Sequence, residues 1–319
     1  MTDVLVTGGG GYIGSVLVPL LLTDDRVSSV RILDSFVDGS PRALAGHLGD
    51  GTLDIVEGDI VESTPVERAM QDIDVVIHLA AITGAGASHG RTDQTFRVNA
   101  TGTATLLNVA TESDVGRFVF ASSCNVYGRS ETADISETTA AAPINPYAES
   151  KLNAERLVRD ASTAGPMTTT SLRMSTVFGA APGIRFNLVV NQFVFRAMTG
   201  RRLSVYGDGS NWRPFIHVED AARAYRDAAL VPDRWPADIY NVGVDDQNMQ
   251  IRELAGVVRE QVGAVDMEYL EQERPGPSYR VNFDRLDETG YEPRWEISAG
   301  ISDLESWLRG NGHGRGALA

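Results

Sequence analysis

The feature that most constrains the fold is a glycine-rich turn near the N-terminus, between an apolar run and a helix-like run. Residues 4–6 (VLV) lead into residues 7–14 (TGGGGYIG), and residues 15–22 are compatible with a helix. Glycines in a GxxGxxG spacing permit a tight turn, close approach of the main chain to a phosphate group, and close helix–strand packing. The unpaired N–H groups of the helix N-terminus then attract the phosphates. The pattern predicts a dinucleotide-binding turn, with a plain flexible loop as the alternative. The residues assigned to the cofactor here are Gly8, Gly11, Tyr12, Ile13 and Gly14.

An acidic residue follows the next strand-like run at an informative distance. Residues 30–33 (VRIL) end in Asp34, which lies twenty residues after Gly14. A dinucleotide-binding fold places an acid there to hold the adenosine ribose hydroxyls, and its charge repels a 2′-phosphate. We therefore predict NAD rather than NADP as cofactor, although an acid after a strand is also a common surface feature.

Three later segments repeat the pattern of an apolar strand followed by a short polar signature. Residues 58–60 (GDI), 78–81 (HLAA) and 121–123 (ASS) each follow such a run, and helix-compatible stretches, including residues 92–113, lie between them. Strands that alternate with helices indicate parallel βαβ units in a single sheet. The predicted fold class is α/β, with a Rossmann-like, doubly wound parallel sheet.

The single lysine of the chain suggests the chemistry. Lys151 stands four residues after Tyr147, in a chain that carries 28 Lys and Arg residues in total. On a helix, residues four apart lie on the same face, so the phenol and the ammonium would share one patch. A neighbouring cation favours phenolate and lowers the pKa of tyrosine from about 10, as a general base requires. The alternative is an accidental pair on a solvated helix.

Together these motifs resemble the extended short-chain dehydrogenase/reductase superfamily, in its branch acting on nucleotide-diphosphate sugars. The resemblance extends over almost the whole chain and implies a second, smaller substrate-binding domain. It rests on seven segments in order, residues 7–14, 58–60, 78–81, 122–128, 147–151, 213–220 and 273–276.

The resemblance implies a set of site residues. The catalytic set would be Ser123, Tyr147 and Lys151, with Lys151 also anchoring the nicotinamide ribose. Ser123 closes a predicted strand, where open α/β sheets bind ligands, although serine is also an ordinary strand-end turn residue. The other implied cofactor contacts are Asp59, Ile60, Leu79, Ala80, Ala81 and Asn99.

The second half of the chain is predicted to hold a nucleotide-diphosphate sugar. By resemblance, Asn187, Arg213 and Arg274 grip the diphosphate and nucleoside, and Thr83 shapes the sugar pocket. Guanidinium groups suit phosphate oxygens because they offer paired, planar donors at fixed charge. Thr176 stands where the family often has asparagine, which leaves the identity of the sugar open.

Departures from subfamily patterns narrow the set of possible reactions. The related 4,6-dehydratases carry an Asp-Glu pair directly after the catalytic hydroxyl residue, whereas this chain has Cys124 and Asn125. Neither residue is a suitable acid–base carboxyl, so dehydration is disfavoured. Because the Arg213 and Arg274 segments resemble those of UDP-galactose 4-epimerase most closely, the resemblance implies an NAD-dependent C4 epimerase. The alternatives are a nucleotide-sugar ketoreductase or dehydrogenase with net redox change, and a non-catalytic NAD-binding protein. The three predicted catalytic residues weigh against the last.

Composition excludes several partners. The net charge of −15 argues against nucleic acid and against an anionic membrane surface. One cysteine excludes a disulfide framework, and the five histidines show no metal-ligand spacing, so no metal is predicted. The acidic start and the lack of a long apolar run predict a cytoplasmic protein without a signal peptide.

The predicted domain plan places an NAD-binding domain at residues 1–175, to which residues 214–243 return. Residues 176–213 and 244–309 would form the substrate domain, and residues 310–319 a flexible tail. The helices at residues 92–113 and 146–164 are expected to pair across a two-fold axis in a homodimer.

Overall fold

A computed structural model describes residues 1–84, 88, 90–130, 132, 134–271 and 276–310. Its centre is a seven-stranded sheet in the order β3-β2-β1-β4-β5-β6-β10, and all of its neighbouring strands are parallel. The strands of this sheet are β1 Thr2–Thr7, β2 Val27–Asp34, β3 Leu53–Glu57, β4 Val75–His78, β5 Arg117–Ser123, β6 Thr168–Met174 and β10 Ile239–Val242.

The remaining strands form two small sheets outside the large one. Strands β11, β9 and β7 form the first, and β12 pairs with β8 in the second. Their bounds are β7 Thr176–Phe178, β8 Leu203–Tyr206, β9 Trp212–His217, β11 Asn248–Gln250 and β12 Met267–Leu270.

Helices cover both faces of the large sheet, as a parallel sheet buried on both sides requires. In the described residues the α-helices are α1 Gly14–Leu22, α2 Ser63–Met70, α3 Thr92–Phe96, α4 Thr103–Glu112, α5 Pro146–Ala164, α6 Val189–Met198, α7 Val218–Leu230, α8 Ile251–Gln261, α9 Asp284–Glu288 and α10 Ile297–Leu308. Short 3₁₀ turns occupy Pro41–Leu44, Cys124–Tyr127, Pro232–Arg234 and Asp245–Gln247. None of the helices in the described part of the chain has the length and apolar character needed to cross a bilayer.

The core is divided between the two sides of the sheet and the smaller lobe. Strands β1, β4 and β5 are buried on both faces and read as continuous apolar runs. Helices α1 and α7 pack together on one face, and α2, α4 and α5 cover the other. A third cluster, built around Phe178, Phe193 and Phe215, joins α6, α8 and α10 to the small sheets. This Rossmann-like α/β architecture with a smaller second lobe is the fold class predicted from sequence.

The chain returns from the smaller lobe to the large sheet. Helix α7 packs against α1, and β10 extends the large sheet beside β6. Strand β9, which crosses the predicted boundary at residue 214, pairs with β7 and β11 in the small sheet. The division into residues 1–175 with 214–243, and 176–213 with 244–309, stays a proposal, and residues 311–319 of the predicted tail lie outside the described residues.

Candidate active site

The predicted cofactor residues follow the carboxyl ends of neighbouring parallel strands. In spatial order across the sheet, Asp59 follows β3, Asp34 ends β2, the glycine turn follows β1, and Leu79 follows β4. Ser123 ends β5, the next strand. Because parallel strands share one carboxyl edge, the structure brings these residues along a single crevice, where open α/β sheets bind ligands.

The glycine turn leaves no room for side chains at two of its positions. Gly8 has φ +74°, and a Cβ built on it would lie 2.7 Å from the Ala80 nitrogen. A Cβ on Gly14 would lie 2.5 Å from the Gly8 carbonyl oxygen. The turn therefore keeps its main chain open at the N-terminus of α1, which fits the pyrophosphate of a dinucleotide.

Asp34 is bound to the same turn. Its carboxylate accepts hydrogen bonds from the Gly10 nitrogen at 2.9 Å and the Phe36 nitrogen at 2.7 Å. Burial raises the pKa of Asp34, and these two N–H groups act in the opposite direction. An acid held at the rim of the turn fits a ribose hydroxyl pair better than a 2′-phosphate.

Tyr12 connects this turn to the smaller lobe. Its phenol donates to the Gly179 carbonyl at 2.7 Å and accepts from the Asn191 amide at 3.1 Å. Ser15 reinforces the contact, because its hydroxyl accepts from the Gly183 nitrogen at 3.1 Å. The side chain of Tyr12 is thus engaged within the protein, and a cofactor contact at this position falls to the main chain.

Asn99 braces the loop after β4. Its side chain accepts from the Ile82 nitrogen at 2.8 Å and donates to the Ile82 carbonyl and the Ser150 hydroxyl, both at 2.9 Å. Ile60 is buried against Gly102 in the same layer. The amide of Asn99 is therefore committed to positioning the loop at residues 79–82 rather than projecting freely into the crevice.

Ser123 and Tyr147 meet at the end of β5. The Ser123 side chain favours the ionised form of the Tyr147 phenol and so opposes the effect of burial on its pKa, and only 8% of Tyr147 is exposed. Asn125 holds Ser123 from the other side, since its main-chain nitrogen and its side-chain amide donate to the serine Oγ at 3.2 and 3.3 Å. This arrangement can present two hydroxyl groups to a single substrate oxygen.

Lys151 lies one turn further along α5, and its side chain is buried. Its Nζ donates to the Ala121 carbonyl at 2.7 Å and lies 4.8 Å from the centre of the Phe120 ring. Burial raises the pKa of Tyr147, and the nearby cation that opposes this is Arg185. The expectation that Lys151 lowers the pKa of this phenol stays a prediction. Burial of Lys151 lowers its own pKa to about 7, against the charge of Glu155.

Arg185 enters this site without having been predicted. Its Nη1 donates to the Thr83 hydroxyl, and its Nε donates to the Asn187 side-chain oxygen at 3.3 Å. The predicted substrate residues Thr83 and Asn187 are thus brought together by a guanidinium that sequence reasoning missed. Its only sequence signal was its position two residues before Asn187.

Arg213, on β9 of the smaller lobe, has different contacts from Arg185. Its Nη1 donates to the carbonyls of Trp212, at 2.8 Å, and Pro277, and its guanidinium lies 5.2 Å from the centre of the Tyr279 ring. Burial lowers its pKa, with a smaller effect of Arg129 in the same direction. Arg274, the other predicted diphosphate ligand, lies outside the described residues.

Away from the crevice, three carboxylates converge although no metal was predicted. Asp245, Asp284 and Asp287 can bring one oxygen each within 4.8 Å of one another, and all three are exposed. Exposed acidic groups of this kind are common without an ion, and they play no part in the crevice.

The chain matches one known protein family and is similar to several curated proteins over almost its whole length. The NAD dependent epimerase/dehydratase family matches residues 4–243. The low-salt glycan biosynthesis protein Agl12 of Haloferax volcanii is 33% identical over 312 residues, covering 97% of this chain and 99% of the relative. A dTDP-glucose 4,6-dehydratase of an Actinoplanes species is 31% identical over 318 residues, covering 97% and 98%.

A solved structure agrees with the cofactor assignment. The UDP-glucose 4-epimerase of Thermus thermophilus, in complex with NAD, superposes with a TM-score of 0.85 at 27% identity, covering 97% of this chain and 99% of that one. With the glycine turn and Asp34, this supports NAD as the cofactor. The chain is an enzyme of the NAD dependent epimerase/dehydratase family, in the extended short-chain dehydrogenase/reductase superfamily.

Proposed function

We propose that the protein epimerises a nucleotide-diphosphate sugar at C4 through a transient keto sugar. Tyr147 is the general base and acid, Ser123 hydrogen-bonds the reacting oxygen, and Asn125 fixes Ser123. Bound NAD would supply the reversible hydride chemistry at the carbinol carbon. The proposal extends the family assignment to one reaction.

Tyr147 is the proposed proton carrier. A base must lie within hydrogen-bond reach of the proton it removes, and the Tyr147 phenol lies beside Ser123 at the end of β5. Ser123 can stabilise negative charge that develops on the sugar oxygen. Reduction of the opposite face requires the same phenol to return the proton after the keto sugar has turned over.

The residues directly after Ser123 argue against a dehydration reaction. The Cys124 thiol is buried and donates to the Arg173 carbonyl at 3.0 Å, and burial raises its pKa to about 12. The main-chain and side-chain N–H groups of Asn125 donate to the Ser123 hydroxyl, and the side chain of Asn125 has no titratable group. Eliminating water needs an acid and a base beside the sugar ring, and these two positions supply neither.

Net redox chemistry is the second candidate, because a ketoreductase would use the same phenol and hydroxyl. The two activities differ in whether added cofactor is consumed. Retention of NAD through purification, with no use of added NADH, is the behaviour expected of the epimerase.

The experiment is to incubate the purified protein with UDP-glucose, UDP-galactose and their N-acetyl, uronate and dTDP relatives, and to identify products by mass and NMR. We expect a C4 epimer of unchanged mass. A product lighter by one water would establish dehydration instead, and stoichiometric oxidation of NADH would establish a reductase.

Two variants complete this experiment. Tyr147→Phe removes the phenolic proton carrier and is expected to lower kcat by at least ~100-fold while NAD is retained, since general acid–base catalysis contributes roughly 10²–10⁴-fold. Phe195→Tyr is the matched control, because Phe195 is 36% exposed on α6, apart from the proposed catalytic residues. Full activity in Tyr147→Phe would contradict the assigned base.

A further inference from the structure

Arg185 is a cation inside the site that forms no ion pair within 4 Å among the described residues, although the charge of Asp38 acts on it from further away. It is partly buried, and burial lowers its pKa. Its hydrogen bonds go to neutral oxygens, on Thr83 and Asn187, and among the described residues no carboxylate lies within 4 Å of it. A partly desolvated charge without a close ion-pair partner is costly, so a ligand with an anionic group would complete this site.

The guanidinium still has a donor edge to offer. The hydrogen bonds to Asn187 and Thr83 use Nε and Nη1, and within the described ranges none uses Nη2. Nη2 lies beside Gly84, 3.9 Å from where a Cβ of that residue would be. A planar fork with free N–H groups suits the two oxygens of a carboxylate.

The position of Arg185 indicates which part of the ligand it meets. Arg185 donates to Thr83, in the loop after β4 at the same carboxyl edge of the sheet as Ser123, and its charge also acts on the Tyr147 phenol. The base must touch the hydroxyl at C4 of the sugar, so the guanidinium lies on the sugar side of the site. Arg213, by contrast, is held on the smaller lobe by the Trp212 and Pro277 carbonyls and is the proposed diphosphate ligand.

We propose that Arg185 selects a nucleotide sugar whose ring carries a carboxylate, a hexuronate, and binds that carboxylate directly. The carboxylate of a hexuronate is attached at C5, next to the C4 carbon that reacts. A cation near the base is therefore in the right place to meet it. This inference rests on the proposed epimerase function and names its substrate class.

The test compares UDP-glucuronate with UDP-glucose. We expect wild-type protein to convert the uronate with a kcat/KM at least ~10-fold higher, because a charge-assisted paired hydrogen bond distinguishes the two sugars. Arg185→Gln is expected to lower this preference by on the order of ten- to hundredfold. Arg185→Lys, which keeps the charge and loses the planar fork, should fall between them.

A matched control and a binding measurement separate specificity from general damage. Arg201→Gln removes an exposed arginine outside the crevice and should leave the preference at its wild-type value. Calorimetry with the Tyr147→Phe variant should show tighter binding of UDP-glucuronate than of UDP-glucose, and Arg185→Gln in that background should abolish the difference.

The outcomes that overturn the inference differ from those that overturn the proposed function. Turnover of UDP-glucose with no preference for the uronate removes the inference and leaves the epimerase standing. Equal losses for both sugars in Arg185→Gln would assign the guanidinium to the diphosphate, and loss of bound NAD would assign it to the cofactor. If no nucleotide sugar is turned over, the epimerase fails, and the calorimetric preference alone decides the inference.

Discussion

At the residue scale, Lys151 offers a direct measurement because it is the single lysine of the chain. Burial lowers its pKa from 10.5 to about 7. In protein labelled with ¹³C at lysine Cε, we expect one resonance that titrates with a midpoint near pH 7 in the cofactor-free protein. The same resonance in urea-unfolded protein should titrate near the unperturbed value of about 10.4.

The same shift predicts how stability depends on pH. Between pH about 7 and 10.5 the folded lysine is neutral while the unfolded one is protonated, so unfolding takes up a proton. The free energy of unfolding contributed by this group therefore rises with pH across that window and is lowest below it. Urea unfolding of Lys151→Met at pH 6.5 and 9 should lack this contribution. An unchanged pH slope in the variant would show that the buried ammonium is not its source.

Residues that are recognised by local spacing could be predicted, and residues that act through distant contacts could not. Gly8, Gly14 and Asp34 lie within one strand–turn–helix–strand unit, so their spacing carries the information. Arg185 meets Thr83 across 102 residues of chain, and its position two residues before Asn187 does not reveal that contact. The pKa of Tyr147 depends on burial and on Arg185, which only the fold brings near it.

At the scale of elements, an ion pair joins α5 to the large sheet beneath the site. Arg173 on β6 donates from Nε and Nη2 to both carboxylate oxygens of Glu155 at 2.9 and 2.8 Å, and Ser122 on β5 donates to the same carboxylate at 2.5 Å. Both charged side chains are almost fully buried. Burial opposes the charge of Arg173, but its bonds to Glu155 raise its pKa.

Removing one partner of this pair should be strongly destabilising. We expect Glu155→Gln to lower the free energy of unfolding by about 3–5 kcal/mol, because it leaves the buried guanidinium uncompensated. It should also lower the pKa of Lys151 further, since Glu155 is the charge that opposes the effect of burial. Urea denaturation and the lysine resonance measure the two effects separately.

The double variant Glu155→Leu with Arg173→Met serves as the control for this pair. A paired apolar replacement leaves no buried charge, so it should be more stable than Glu155→Gln. If the single and double variants lose the same stability, the cost lies in packing and not in the unpaired charge.

We expect glycine-to-alanine substitutions to be harmful in the turn before α1 and stabilising inside α8. Gly14→Ala places a methyl group 2.5 Å from the Gly8 carbonyl, so the turn must shift and the affinity for NAD should fall at least ~10-fold. Gly256→Ala meets no atom within 4 Å and lies inside α8, so it should stabilise the protein by about 0.5–1 kcal/mol. NAD titration and thermal unfolding check both, and unimpaired NAD binding by Gly14→Ala would count against the phosphate-binding turn.

Element boundaries show the same limit of local patterns. The predicted helix at residues 146–164 agrees with α5, because Asn145 caps it through the Ala148 nitrogen and Pro146 begins it. The predicted helix at residues 92–113 contains a π-helical stretch, Arg97–Gly102, between α3 and α4. That stretch carries Asn99, whose bonds to Ile82 and Ser150 are tertiary contacts. Apolar periodicity cannot report such a local change of helical pitch.

At the scale of the whole molecule, the homodimer expected from sequence stays a prediction. The surface formed by α3, α4 and α5 is its expected interface. These helices pack beside one another on one side of the large sheet. Val98, Leu157 and Ala161 on or between them are only partly buried against the core. Self-association would cover this incompletely buried apolar surface.

Charge should control that association. Each chain carries −15, so two copies repel at low ionic strength, and the repulsion is screened as the Debye length falls from about 30 Å at 0.01 M to about 8 Å at 0.15 M. In sedimentation velocity we expect a dimer whose fraction rises with salt over that range. Leu157→Glu on α5 should shift the protein toward monomer, whereas Leu230→Glu, at a partly buried leucine on the opposite face of the sheet, should not. A monomer at every salt concentration, or equal dissociation by both variants, would show that α3, α4 and α5 do not form the interface.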